Sequence, residues 1–174
     1  MQKSLRHHAC IRILIAMLSG VVALIMPSCS DPTVVYDHYC PTPVEGWEPG
    51  DELKFHIDTL CQAGNYTLTI GVRTSMSIPY PYQSLTILMQ QRWHNPERVL
   101  SDTLVIPLTN ERGDASGYGV SYNQSDTFYQ TLTLPAGTSA DITIHHLMRS
   151  EMLQGVSDVG LRLELLGDDV SQRR

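Results

Sequence analysis

Tyr66-Thr67-Leu68-Thr69-Ile70-Gly71-Val72 carries an apolar side chain at every second position, with threonine or glycine between. A period of two marks an extended strand with one face in a core and the other in water. The pattern recurs along the chain. Leu53, Phe55 and Ile57 alternate with Lys54, His56 and Asp58. Leu85, Ile87 and Met89 repeat it, as do Leu104, Ile106 and Leu108, where Pro107 marks an edge or a strand end. Tyr118, Val120 and Tyr122 follow, then Phe128, Gln130, Leu132 and Leu134 before the turn Pro135-Ala136-Gly137. Ile142 and Ile144 form a short strand, and Val159, Leu161, Leu163 and Leu165 form the last, opposite Arg162 and Glu164. About eight half-wet strands cannot bury their apolar faces in a single layer, so two sheets must pack together. The expected fold is all-β, an antiparallel β-sandwich of jelly-roll or Ig-like type. Residues 145–153 break the rhythm and read as a helical turn or a short crossover.

Ahead of this domain lies a different kind of sequence. Residues 1–12 hold Lys3, Arg6 and Arg12 and no acid, and residues 13–26 are an uncharged apolar run. The run is shorter than the roughly 20 residues a spanning helix needs and has the form of a secretory signal. It ends at Met26-Pro27-Ser28-Cys29, a small residue directly before a cysteine, which resembles a bacterial lipobox. In that reading Cys29 is acylated and becomes the first residue of the mature chain; in the alternative, an uncleaved anchor helix ends at Pro27. Asp31 stands one place beyond the usual inner-membrane retention position, which favours outer-membrane sorting. The chain then divides into a signal peptide (1–28), a lipid-anchored arm (29–52), the sandwich (53–166) and a polar tail (167–174).

Removal of residues 1–28 leaves nine basic against eighteen acidic side chains, a formal charge of −9. That balance opposes binding to nucleic acid or to anionic headgroups. Cys40 and Cys61 remain in an oxidising compartment if the chain is exported. They form either a disulfide or two separate thiols. Their spacing is not that of a redox or zinc motif.

No constellation in the sequence points to catalysis. Adjacent His145 and His146 on a strand face opposite ways and cannot share a metal. There is no His-Glu-x-x-His pair and no nucleophile elbow. The glycine-rich stretch 113–119 carries an acid and no lysine, so it reads as a turn rather than a phosphate cradle. The aromatics are the more informative group. Tyr80, Tyr82 and Trp93 are the candidate interaction surface, because Pro79 and Pro81 force extended backbone around the tyrosines.

Several segments together carry a resemblance. They are the lipobox, Val35-Tyr36-Asp37, Gly46-Trp47, Asp51-Glu52-Leu53-Lys54-Phe55 and Tyr80-Pro81-Tyr82-Gln83-Ser84-Leu85. Asp102-Thr103-Leu104, Gly117-Tyr118-Gly119 and Gly155-Val156-Ser157-Asp158-Val159-Gly160-Leu161-Arg162-Leu163-Glu164 complete the series. This order resembles the gliding-motility lipoprotein H (GldH) family of the Bacteroidetes. The resemblance implies a cell-envelope lipoprotein that serves gliding, or a homologue in a non-gliding species. It implies no enzymatic activity, cofactor or catalytic residue. The function expected is therefore attachment to a membrane through lipid and binding to other envelope or gliding-machinery proteins. The alternative is a carbohydrate-binding β-sandwich lipoprotein.

Overall fold

The computed structural model describes residues 33–110 and 112–166. The expected signal peptide, Cys29 and the polar tail lie outside them.

Eight strands run β1 (Val34–Pro41), β2 (Leu53–Ile57), β3 (Gly64–Ser75), β4 (Ser84–His94), β5 (Arg98–Pro107), β6 (Tyr122–Leu134), β7 (Ser139–His146) and β8 (Val156–Leu165). They build two antiparallel sheets, ordered β1-β8-β3-β6 (sheet 1) and β2-β7-β4-β5 (sheet 2). Only β4 and β5 follow one another within a sheet; every other connection crosses to the opposite layer. The expected sandwich is present, and this strand order makes it a jelly roll rather than an Ig-like domain.

The alternating residues supply the core. Tyr66, Leu68, Ile70 and Val72 of β3 and Val159, Leu161 and Leu163 of β8 form its sheet 1 side. Phe55 and Ile57, Leu85, Ile87 and Met89, and Ile142 and Ile144 form the sheet 2 side. Each such side chain contributes about 1.5–3 kcal/mol through burial. At the open flank between β5 and β6 the core becomes polar. Buried Gln91 accepts from the Trp93 indole at 3.0 Å and donates to the Tyr129 hydroxyl at 3.2 Å. Tyr129 in turn donates a short bond to Asp102.

Two expectations need correction. Residues 34–41, expected to lie within the arm 29–52, form β1 along β8. Burial along β1 does not alternate strictly, as suits an edge strand covered only in part. The strand expected at 118–122 begins only at Tyr122, and Val120 is almost fully exposed. Three residues of alternation are too few to exclude a loop. Of the two readings of 145–153, the crossover is the one present: residues 147–155 link β7 to β8 irregularly and form no helix.

The strand directions give the sandwich two unlike ends. The short connections 58–63, 95–97 and 135–138 gather at the end where the chain enters at Thr33, which bonds Leu165 through its carbonyl. The longer loops 42–52, 76–83, 108–121 and 147–155 gather at the other end.

Candidate interaction surface

Of the three aromatics expected on a surface, the structure exposes one, Tyr82. Trp93 is buried at 3% exposure. It shares odd-numbered parity on β4 with Leu85, Ile87 and Met89, so the pleat turns it inward. Tyr80 is half-buried and donates its hydroxyl to the Ser84 carbonyl at 2.9 Å. Burial pushes that phenol well above its ordinary range. Tyr82 is exposed and meets Tyr80 edge to face at 5.7 Å. Cys40 and Cys61 are free thiols, not a bridge: Cys40 lies on β1 with its Sγ directed at the Lys54 carbonyl, and Cys61 is exposed in the β2–β3 turn.

The long-loop end is held firmly. Trp47 is fully buried, and its backbone forms a two-way bridge with Leu153. Its indole donates to the Asp51 carbonyl at 2.9 Å. The ring packs edge-on against His146, 5.1 Å between centroids. His146 Nε2 bonds the Trp47 carbonyl at 2.9 Å, and its Nδ1 accepts from the Met148 amide. Those two bonds define a neutral imidazole with the proton on Nε2. Burial lowers its pKa, as neutrality in an apolar site requires. Loop 76–83 is tied down by the Ser75 amide on the Gly155 carbonyl and by Ser75 Oγ, which accepts from the amides of Ser77 and Ile78. Gly155 has φ +88° and its Cα hydrogen faces Tyr80, where a Cβ would lie 2.6 Å from Cα of that tyrosine. Only glycine fits there.

These anchors leave a row of apolar side chains outside. Val44 is 89% exposed, and Met76, Ile78, Tyr82 and Met152 are each exposed by two-fifths or more. A depression of about 330 Å³ runs between Val44, Gly46, Ile78 and Leu153. A second, of about 220 Å³, lies beyond it between Met76, Pro79, Tyr80 and Leu108. Loop 42–52 contributes Glu45, Glu48, Asp51 and Glu52 and no basic residue.

Two clusters on the sheet faces escaped the sequence reading. On sheet 1, Gly71 and Gly160 are direct cross-strand partners, and the Tyr39 ring lies across the gap they leave. The Arg73 guanidinium stacks over that ring at 3.5 Å and over Tyr122 at 4.6 Å. Asp126 accepts from the hydroxyls of Tyr39 and Tyr118. The paired strand glycines were the available signal. On sheet 2, Asp141 bonds His56 Nδ1 at 2.7 Å and His94 Nε2 at 3.0 Å. The Asp141 hydrogen bond raises the His56 pKa, and the histidine bonds hold Asp141 below its usual range. These residues come from three strands far apart in sequence, so no local motif announces them. Among the described residues, no group of three or more His, Cys, Asp or Glu side chains is placed to hold a metal ion.

The family model for the GldH lipoprotein matches residues 34–163, from the first residue of β1 into β8. The chain belongs to the GldH lipoprotein family. That is a non-enzymatic family of membrane-anchored envelope proteins. The match also places β1 inside the family domain. No curated protein matches the chain. Among solved structures, it is similar to a family GH115 4-O-methyl-α-glucuronidase at 16% identity and TM-score 0.43, over 82% of this chain and 19% of that one. The chain thus spans about a fifth of that enzyme. A protein from Sulfurospirillum deleyianum aligns at 10% identity and TM-score 0.41, over 75% and 98% of the two chains. The sugar-binding EclA C-terminal domain aligns at 12% identity and TM-score 0.37, over 80% and 84%.

Proposed function

We propose that this chain is an outer-membrane lipoprotein, acylated at Cys29, that serves the gliding machinery or its counterpart in a non-gliding species. It acts without catalysis, by binding other envelope proteins. One observation carries the reading: the chain enters the sandwich at the short-turn end, whereas the exposed apolar loops are at the other. Cys29 precedes β1 by only a few residues, each spanning at most about 3.6 Å. A lipid there is a short leash, since its acyl chains hold the cysteine at the bilayer by about 0.8 kcal/mol per buried CH₂. The long loops stand roughly a strand length further out, about 35 Å for the ten or so residues of a strand. That separation favours contact with a neighbour over contact with the membrane.

Glycan capture has less support. Of the rings expected to serve it, Trp93 is in the core and Tyr80 is half-buried with its hydroxyl on the Ser84 carbonyl, which leaves Tyr82; the hydroxyls of Tyr39 and Tyr118 are engaged by Asp126. The test is twofold. Cys29→Ala is expected to leave the protein unattached or uncleaved on membrane fractionation; unchanged attachment of a processed chain overturns the anchor. Purification of the full chain from detergent-solubilised membranes is expected to carry envelope proteins with it in fixed ratio. Recovery of the chain alone overturns the binding role.

A further inference from the structure

We propose that the trough between Val44 and Ile78 receives a segment of an envelope protein whose apolar anchor residue is flanked by lysine or arginine. The inference rests on the reading that the protein works by binding, and it names where and what. Val44, from loop 42–52, and Ile78, from loop 76–83, line the two walls these loops give the depression of about 330 Å³, and buried Leu153 is part of its lining. That volume lies at the small end of the range for binding sites and suits a few inserted side chains. Both walls are rigid for reasons already visible. Trp47 fastens one, and Gly155 with the Ser75 bonds fastens the other. A preformed trough loses little ordering entropy when a partner enters.

Charge selects the partner. Glu45 lies between the two trough residues Val44 and Gly46, and Asp158 is part of the lining, which includes no basic residue. Loop 76–83 on the facing side is uncharged. An apolar slot whose lining holds one carboxylate, Asp158, with Glu45 beside it in the chain, attracts a basic segment and repels an acidic one, although Arg73, the β3 partner of Asp158, offsets part of that charge. A second copy of this chain is a poor occupant, because the residues after 28 sum to a formal −9.

The test uses the full chain in intact cells. A photoreactive phenylalanine analogue replaces Val44, Ile78 or, at the opposite end, Glu97. All three positions are exposed. After irradiation the adducts are digested and sequenced by mass spectrometry. Expected are adducts from positions 44 and 78 in about tenfold excess over position 97, joined to peptides with lysine or arginine beside the attached residue. The pair Glu45→Lys and Glu48→Lys is expected to lower that yield about tenfold, equivalent to about 1.4 kcal/mol, at unchanged levels of membrane-bound protein. Equal yield from position 97 overturns the surface while the binding role stands. Adducts to acidic or uncharged segments, insensitive to the charge reversal, overturn the partner chemistry. If no position gives an adduct, the trough is overturned; the co-purification experiment then decides whether the binding role falls with it.

Discussion

Gly160→Ala should be destabilising for a reason that lies in another residue. Gly160 sits in β8 between Tyr39 of β1 and Gly71 of β3. Its backbone is not in the left-handed region, so alanine adopts the same dihedrals without strain. A Cβ there would nevertheless lie 2.6–2.7 Å from three carbons of the Tyr39 ring. β8 is held on both sides, so the ring must move. It then loses its stack with Arg73 and its bond to Asp126. Overpacking of this kind costs about 1–3 kcal/mol, and the lost cation–π contact about 0.5–1 kcal/mol. Against this, alanine relieves glycine's extra chain entropy by about 0.4–1 kcal/mol. The net effect is a loss of roughly 1–3 kcal/mol. In a Tyr39→Ala background there is no ring to strike, and the same substitution should be neutral or slightly stabilising. The four proteins of this double-mutant cycle, compared by urea unfolding as soluble chains beginning after Cys29, should show a coupling of roughly 2 kcal/mol. At slopes of about 1–3 kcal/mol per molar urea, that is a readily measured shift in midpoint. Equal losses in both backgrounds would refute the argument, because the glycine would then be needed by the backbone and not by Tyr39.

Leu161→Asp places an unpaired carboxylate in the fully buried centre of β8 and should cost at least about 4 kcal/mol, leaving the domain unfolded at ambient temperature by circular dichroism. His146 should make the domain acid-sensitive. Its folded pKa is below the ordinary 6.5, so the unfolded chain takes up the proton first. The stability it provides is complete above about pH 6.5 and is lost as pH falls through the folded value. His56 has the opposite sign, its raised pKa giving stability below pH 6.5 that is lost as pH rises through the folded value. The difference in acid slope between the native chain and His146→Gln isolates the first effect; identical slopes would disprove it. Under native conditions Cys61 should react with a maleimide within minutes and Cys40 far more slowly, in line with exposure and the raised pKa that burial gives Cys40. Mass spectrometry showing neither thiol labelled after denaturation without reductant would establish a bridge instead.

Strands with long runs of strict alternation were legible from the chain alone. β2, β3, β4 and β8 bury the side chains that parity assigns to them. Where the sequence misled, a physical circumstance explains it. β1 is an edge strand whose residues are covered from uneven sides, so Val34-Val35-Tyr36-Asp37 shows no clean period. A bulge opposite Leu68 and Thr69 shifts β6 by one residue, which turns Phe128 out and interrupts the expected face. Trp93 was legible but misjudged: its parity with Met89 outweighs the tendency of tryptophan to sit at a rim. The long-loop surface was visible only in Tyr82. Val44, Met76, Ile78 and Met152 lie in three loops that only the jelly-roll connections bring to one end. The Asp141 pair of histidines was likewise beyond reach, since pairing order between distant strands leaves no trace in local pattern.

Because β8 separates β1 from β3, sheet 1 is in two pieces until residues 156–165 are available. A chain that emerges amino end first must therefore hold its opening strand unpaired until everything between has followed. Such non-local closure is slow and leaves bare strand edges open to misassembly. A premature stop anywhere before residue 156 would yield no smaller working domain, but a fragment with two bare strand edges and every reason to be degraded.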